Sequence, residues 1–201
     1  MLLFLDAIPY ITIFIFGITI GSFLNVCIYR LPLGESIVTA PSHCMTCGQK
    51  LRWYDMVPVF SWLVLGGKCR NCKSEISVQY PIIEGVNGIL YVVIFVVNGL
   101  VWSSVIYCLM ASALLVLSVI DWRTYEIPFG INVFLFVLGW KLILLAFVLG
   151  CIIGSVVHII RMVRKKAGRM LAMGPYLSAG ILLAALWGNR WISWYLSLIF
   201  N

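Results

Sequence analysis

From Ile8 to Ile28 the chain runs 21 residues without a charged side chain. A helix rises 1.5 Å per residue, so this run is long enough to cross a hydrocarbon core of about 30 Å. It is not alone. Apolar stretches follow Glu84 to about Val97, from about Val105 to Ile120, from Phe129 to Ile160 and from Leu171 to Leu186. With 63% hydrophobic residues, 10% charged residues and a mean hydropathy of +1.06, an ordinary soluble domain is excluded. The expected fold class is an all-α polytopic integral membrane protein with a small zinc-binding cytoplasmic loop domain. Met1 to Leu5 carries no basic residue and the run that follows is of spanning length, so that run reads as a transmembrane segment and not as a cleavable signal peptide.

Charge sets the orientation. Asp6 precedes the first span and Arg30 follows it, which puts the N-terminus outside and the end of the span inside. The net charge of +7 could suggest nucleic acid, but the basic residues sit beside apolar spans, as in cytoplasmic loops facing anionic headgroups. Membrane lipid is the expected partner, with no nucleic acid. Arg161, Arg164, Lys165, Lys166 and Arg169 place the region after residue 160 inside, and Asp121 ends the third span inside. An even number of crossings must therefore separate them. With a turn at Gly139-Trp140-Lys141, the arm starting at Ile127 is only about 18 Å of helix. Trp191, Trp194 and Tyr195 suit the outer interface. The expected organisation is a first transmembrane segment over 1–30, a four-cysteine cytoplasmic loop over 31–80 and a shortened helical domain over 81–201.

The loop holds Cys44, Cys47, Cys69 and Cys72, two Cys-x-x-Cys pairs some twenty residues apart. Four thiolates so spaced meet the tetrahedral demand of structural zinc and leave no open position for water. Two disulfides are the alternative, and they require an oxidising compartment. Lys50, Arg52, Lys68, Arg70 and Lys73 against Glu35, Asp55 and Glu75 place the loop in the reducing cytoplasm, which favours the metal. Cys27, Cys108 and Cys151 lie in apolar runs and read as small buried hydrophobes. Gly17 and Gly21, with Ser22 beside them, permit a close helix approach. Asn25 reads first as a helix–helix hydrogen bond and second as a functional group. The segment Trp53 to Trp62 reads as apolar filling for the zinc loop or as an interfacial anchor.

Several motifs in this order resemble the bacterial type IV prepilin peptidases. They are Gly21-Ser22-Phe23-Leu24-Asn25-Val26 with Tyr29-Arg30-Leu31-Pro32, the four cysteines, Ile76 to Glu84, Asp121-Trp122-Arg123-Thr124-Tyr125-Glu126-Ile127-Pro128, and Gly174-Pro175-Tyr176-Leu177. The resemblance implies a bifunctional enzyme of the bacterial inner membrane. Such an enzyme cleaves prepilin leaders by an aspartic mechanism at the cytoplasmic face and methylates the new N-terminal amine with S-adenosylmethionine. It implies type IV prepilins or pseudopilins as partners, Asp121 as the first catalytic aspartate, and Glu84 within the methyl-transfer region.

An aspartic site needs one carboxylate to activate water and another to protonate the carbonyl oxygen. The family's second aspartate lies in Gly-x-Gly-Asp, and this sequence contains no such motif. The residues from Gly139 onward resemble the family downstream of the motif, and Ile127 to Phe136 resemble the helix well upstream of it. An internal gap of two crossings is therefore expected here. Glu126 lies five residues from Asp121, about 140° around a helix, and does not share its face. The chain is accordingly expected not to cleave leaders by itself, while methyl transfer needs no second aspartate. A catalytically silent membrane binding or assembly factor is the second reading. An unrelated zinc-stabilised transporter subunit is the third, weakened by the lack of a charged relay deep in any span.

Overall fold

The computed structural model describes residues 2–38, 41–125, 140–164 and 172–200. Their regular structure is helical apart from two isolated β-bridges. The helices are α1 (Leu2–Arg30), α2 (Phe60–Val64), α3 (Gln79–Asn98), α4 (Trp102–Thr124), α5 (Trp140–Val163) and α6 (Gly174–Phe200). Among the described residues, α1, α3, α4 and α5 are long and apolar enough to cross a membrane. The chain is a multi-pass membrane protein. The last helix departs from expectation: α6 runs to Phe200, well past Leu186, and Asn189 and Arg190 interrupt its apolar run. The turn at Gly139 to Lys141, Glu126 and the expected gap fall on or beside residues 126–139, outside the described residues.

The chain divides into two compact units, residues 1–104 and 105–201. In the first, α1 packs along α3 in an antiparallel pair whose seam is set by glycine. A Cβ on Gly17 would come within 2.6 Å of Gly88 Cα, and one on Gly21 within 2.7 Å of Glu84 Cα. Close approach of this kind lets backbones pack where lipid offers no hydrophobic drive to associate. The contact also brings side-chain amides onto the opposing backbone: Asn87 Nδ2 donates to Gly17 O at 2.8 Å and Asn25 Nδ2 to Tyr80 O at 3.2 Å. Tyr29 stacks on Tyr80 with ring centroids 5.6 Å apart. Leu31-Pro32 ends α1 in a single 3-10 turn closed by Gly34 in the left-handed region.

In the second unit α5 and α6 are antiparallel, and small residues again mark the seam. Gly150 faces Leu177 and Tyr176, Gly154 faces Tyr176, and a Cβ on Gly180 would collide with the Ala146 carbonyl. Met110 and Leu114 of α4 join Ala146, Ile181 and Ala184 in one buried cluster. The end of α5 comes beside the end of α4, where the Arg161 guanidinium lies 5.7 Å from the Trp122 ring centroid.

Candidate functional site

The two cysteine knuckles fold alike, residue for residue. In the first, Cys44 N–H donates to Gln49 O, Gly48 N–H to Cys44 O, and His43 bridges Lys50; in the second, Cys69 N–H donates to Ser74 O, Lys73 N–H to Cys69 O, and Lys68 bridges Glu75. Each turn needs a left-handed residue just after its second cysteine. Gly48 supplies it at φ 69°, and Lys73 supplies it at φ 58° with a side chain to accommodate. The repeat brings four sulfurs together so that all lie within 4.8 Å of one another. Cys44 Sγ and Cys72 Sγ are 3.8 Å apart. That is the edge of a tetrahedron with metal–sulfur bonds of about 2.3 Å. All four cysteines are free thiols, so the disulfide alternative is not what the loop adopts.

Backbone donors prepare the sulfurs for a cation. The N–H groups of Cys47 and Thr46 bring the Cys44 thiol from 9.0 down to about 6. The Ser74 hydroxyl, with the Ser74 N–H behind it, lowers Cys72 as well. Cys47 moves the other way, because desolvation and the neighbouring sulfurs of Cys72 and Cys44 outweigh a favourable N–H from Gln49. The cluster therefore fits one metal ion held by thiolates. Beside it Arg70 pairs with Asp55 at 2.8 Å and lies over the Tyr54 ring.

Between the knuckles, the Trp53–Trp62 segment and the two residues after it divide into an inward-turned side chain and exposed ones. Trp62 turns inward, its Nε1 donating to Ile76 O and its ring covering Gly67. Trp53, Phe60, Leu63 and Val64 stay exposed. The residue that sequence reasoning missed is Val59. Its φ of 60° and ψ of −51°, with Phe60 N–H donating to Pro58 O, define a γ-turn of the rare positive-φ form. A β-branched residue there is strained by about 1–3 kcal/mol. The turn aims the Val59 N–H at Glu84 Oε2, 2.6 Å away. Glu84 is 5% exposed, sits on α3 against Gly21 of α1, and also bonds the Ser22 side chain. No local pattern in the Pro58-Val59-Phe60 sequence announces this turn; the only signal was an acid at the start of an apolar span.

Asp121 is 2% exposed, buried at the end of α4 where a solvated helix-end carboxylate would be the plain sequence reading. Its Oδ2 accepts the N–H of Gly174, the first residue of α6, at 2.7 Å. A helix start presents free N–H groups and a partial positive charge to an anion. Gly174 is needed for the approach, since a Cβ there would lie 2.8 Å from Asp121 Cβ. In residues 105–201 the only carboxyl side chains are Asp121 and Glu126. The structure thus joins Asp121 to the Gly174-Pro175 motif and Glu84 to the cysteine loop, each within its own unit.

Residues 15–98 match the sequence profile of the bacterial peptidase A24 N-terminal domain. The prepilin leader peptidase/N-methyltransferase of Myxococcus xanthus is 39% identical over 60% of this chain and 36% of its own length. That of Pseudomonas aeruginosa is 26% identical over 90% of this chain and 91% of its own length. The chain is similar to the bacterial prepilin leader peptidase/N-methyltransferases. A relative in Escherichia coli, a type 4 prepilin-like proteins leader peptide-processing enzyme, is 35% identical over 52% of this chain and 46% of its length. The matches at these higher identities span about a third to a half of the relatives. The Pseudomonas match runs 263 positions, whereas 90% of 201 residues is about 181, so about 82 positions of that family member face no residue here. No solved structure matches the chain.

Proposed function

We propose that the chain acts on type IV prepilins or pseudopilins at the cytoplasmic face of the bacterial inner membrane, with the methylating part of the family's chemistry present and the proteolytic part incomplete. The observation that carries this reading is the way Asp121 is held. It is buried and bound by the Gly174 N–H, in a unit where Glu126 is the only other acid of the sequence. Asp121 would hold a water as general base, and the Gly-x-Gly-Asp motif that would supply the acid for the scissile carbonyl oxygen does not occur in the sequence. General acid or base help is worth roughly 10²- to 10⁴-fold each. Leader removal by this chain alone is therefore expected to be negligible.

Zinc is the metal that suits four thiolates in a reducing compartment, and it would tie the two knuckles together without entering a chemical step. S-adenosylmethionine would supply the methyl group, a reading supported by the methyltransferase name of the relatives. The cysteine loop and residues 161–169 would face the cytoplasm with the N-terminus outside, on the charge bias of the sequence.

The test is purified protein incubated with a prepilin carrying its leader and, separately, with pre-cleaved pilin and labelled S-adenosylmethionine. Label incorporation without leader removal is the expected result. Leader removal that vanishes in Asp121→Ala would show that another acid completes the dyad and would overturn the reading. Binding of prepilin with neither activity would instead identify a silent assembly factor.

A further inference from the structure

The α1–α3 seam contains more polar chemistry than helix packing requires. Asn25 is 1% exposed, and its Nδ2 donates to two carbonyls, Tyr80 O at 3.2 Å and Gly21 O at 3.4 Å. Because both partners are acceptors, the amide orientation is determined, and Oδ1 is left buried without a hydrogen bond. A buried amide oxygen in that condition is costly unless something donates to it. Three residues back on the same face is Ser22, which bonds Glu84, and Glu84 stands one turn along α3 from Tyr80. The seam thus presents a carboxylate, an orphaned amide oxygen and a hydroxyl near the start of α3. It holds no side-chain cation: α1 carries only Arg30, at its last residue, and α3 carries none.

We propose that Ser22, Asn25 and Glu84 form a binding site for a protonated amine, covered at rest by the Pro58–Phe60 γ-turn. An ammonium group has three donors and a positive charge, which answers both the carboxylate and the orphaned oxygen. The Val59 N–H is a neutral donor occupying one of these acceptors. Entry of the amine replaces it, and the released turn relaxes from a backbone conformation that valine resists. A buried acid at a span end is a functional-site signal in its own right. Occupant and cover are matched: the turn can hold Glu84 closed, and its strain favours giving way to a better donor. This inference rests on the methyl-transfer reading above and names the residues that would receive the substrate's free N-terminal amine.

The test uses the full chain with its metal in lipid nanodiscs and an apolar peptide of about 20 residues, long enough to span, with either a free or an acetylated N-terminus. The wild type is expected to bind the free-amine peptide at least about tenfold more tightly, a preference worth about 1.4 kcal/mol. Glu84→Gln keeps an acceptor for Val59 and removes the charge, and it should abolish the preference. Asn25→Ala should reduce it several-fold. Val59→Gly keeps the turn without the strain and should weaken free-amine binding. Metal content and thermal unfolding of each variant show that the fold is retained. Equal binding of the two peptides by the wild type, or an undiminished preference in Glu84→Gln, overturns the site. A Glu84-dependent preference without label transfer from S-adenosylmethionine keeps the site and overturns the methyl-transfer reading. Label transfer at the wild-type rate by Glu84→Gln does the reverse.

Discussion

Glu84 in the first unit and Asp121 in the second each accept one backbone N–H at close to the same distance, 2.6 and 2.7 Å, yet the donors differ in kind. For Asp121 the donor is the relaxed start of a 27-residue helix, where an anion is favoured by the aligned peptide dipoles and the carboxylate costs the backbone nothing. For Glu84 the donor is a valine forced to positive φ inside a loop whose framework is the cysteine cluster. The first arrangement is permanent, since it is built from tertiary packing that would have to come apart. The second is more easily replaced, since its donor sheds backbone strain on leaving and offsets part of the lost hydrogen bond. A carboxylate for positioning and a carboxylate for exchange can thus be told apart by what holds them, even when the hydrogen bonds look alike.

The sharpest way to break this contrast is to remove the metal framework. If the cluster holds the proposed zinc, Cys44→Ser or chelation should take it from one ion per chain to near zero, given apparent folding-linked affinities of about 10–16 kcal/mol for such sites. Hydrogen exchange should then rise steeply at the Val59 amide and stay unchanged at Gly174. A parallel rise at Gly174 would show that the two carboxylates are not independently held. Gly174→Ala probes the other side. The added Cβ meets Asp121, so overpacking of about 1–3 kcal/mol is expected. A lower unfolding temperature for the second unit, with zinc retained, is the outcome to look for.

Acidification should separate the units more gently. Cys44 is depressed from 9.0 to about 6 by the Cys47 and Thr46 N–H groups, so its thiolate contributes fully above its unfolded value. That contribution drains as pH falls through about 6. Metal retention measured from pH 8 to 5 should fall in that window, with helical content from α5 and α6 constant. The smallest expected effect is Lys73→Gly. It removes a side chain from a left-handed position that the matching knuckle fills with Gly48. A gain of about 1 kcal/mol in loop stability is expected, read as a shift in the zinc-chelator midpoint.

Much of this is legible in the sequence. The cysteine spacing gave the metal cluster, because x-x turns and a tetrahedron constrain each other locally. Gly17, Gly21 and Asn25 announced a helix seam, because small residues and a buried amide have few other uses in an apolar span. What stayed hidden came from long-range placement. Nothing in Gly174-Pro175 says that its N–H will meet a carboxylate 53 residues away. The burial of Asp121 follows from α6 folding over it, and local pattern describes only the helix end. Val59 is the extreme case: its conformation is one its own chemistry disfavours, so propensity points away from it. The extent of α6 was underestimated because Asn189 and Arg190 mimic a span's end while the helix continues through them.

The paired knuckles also have a topological consequence. A metal bound by Cys44, Cys47, Cys69 and Cys72 ties the chain at residues 47 and 69 and makes a closed ring of residues 48–68, with Val59 near its midpoint. In a closed ring the turn cannot escape by unravelling towards an end. When it lets go of Glu84 it moves as a tethered flap whose return distance is bounded, and the entropy of bringing the flap back has already been spent in closing the ring. Recapture of Glu84 is then a short, first-order event, independent of how the rest of the loop fluctuates, so the cover resets between occupants without refolding.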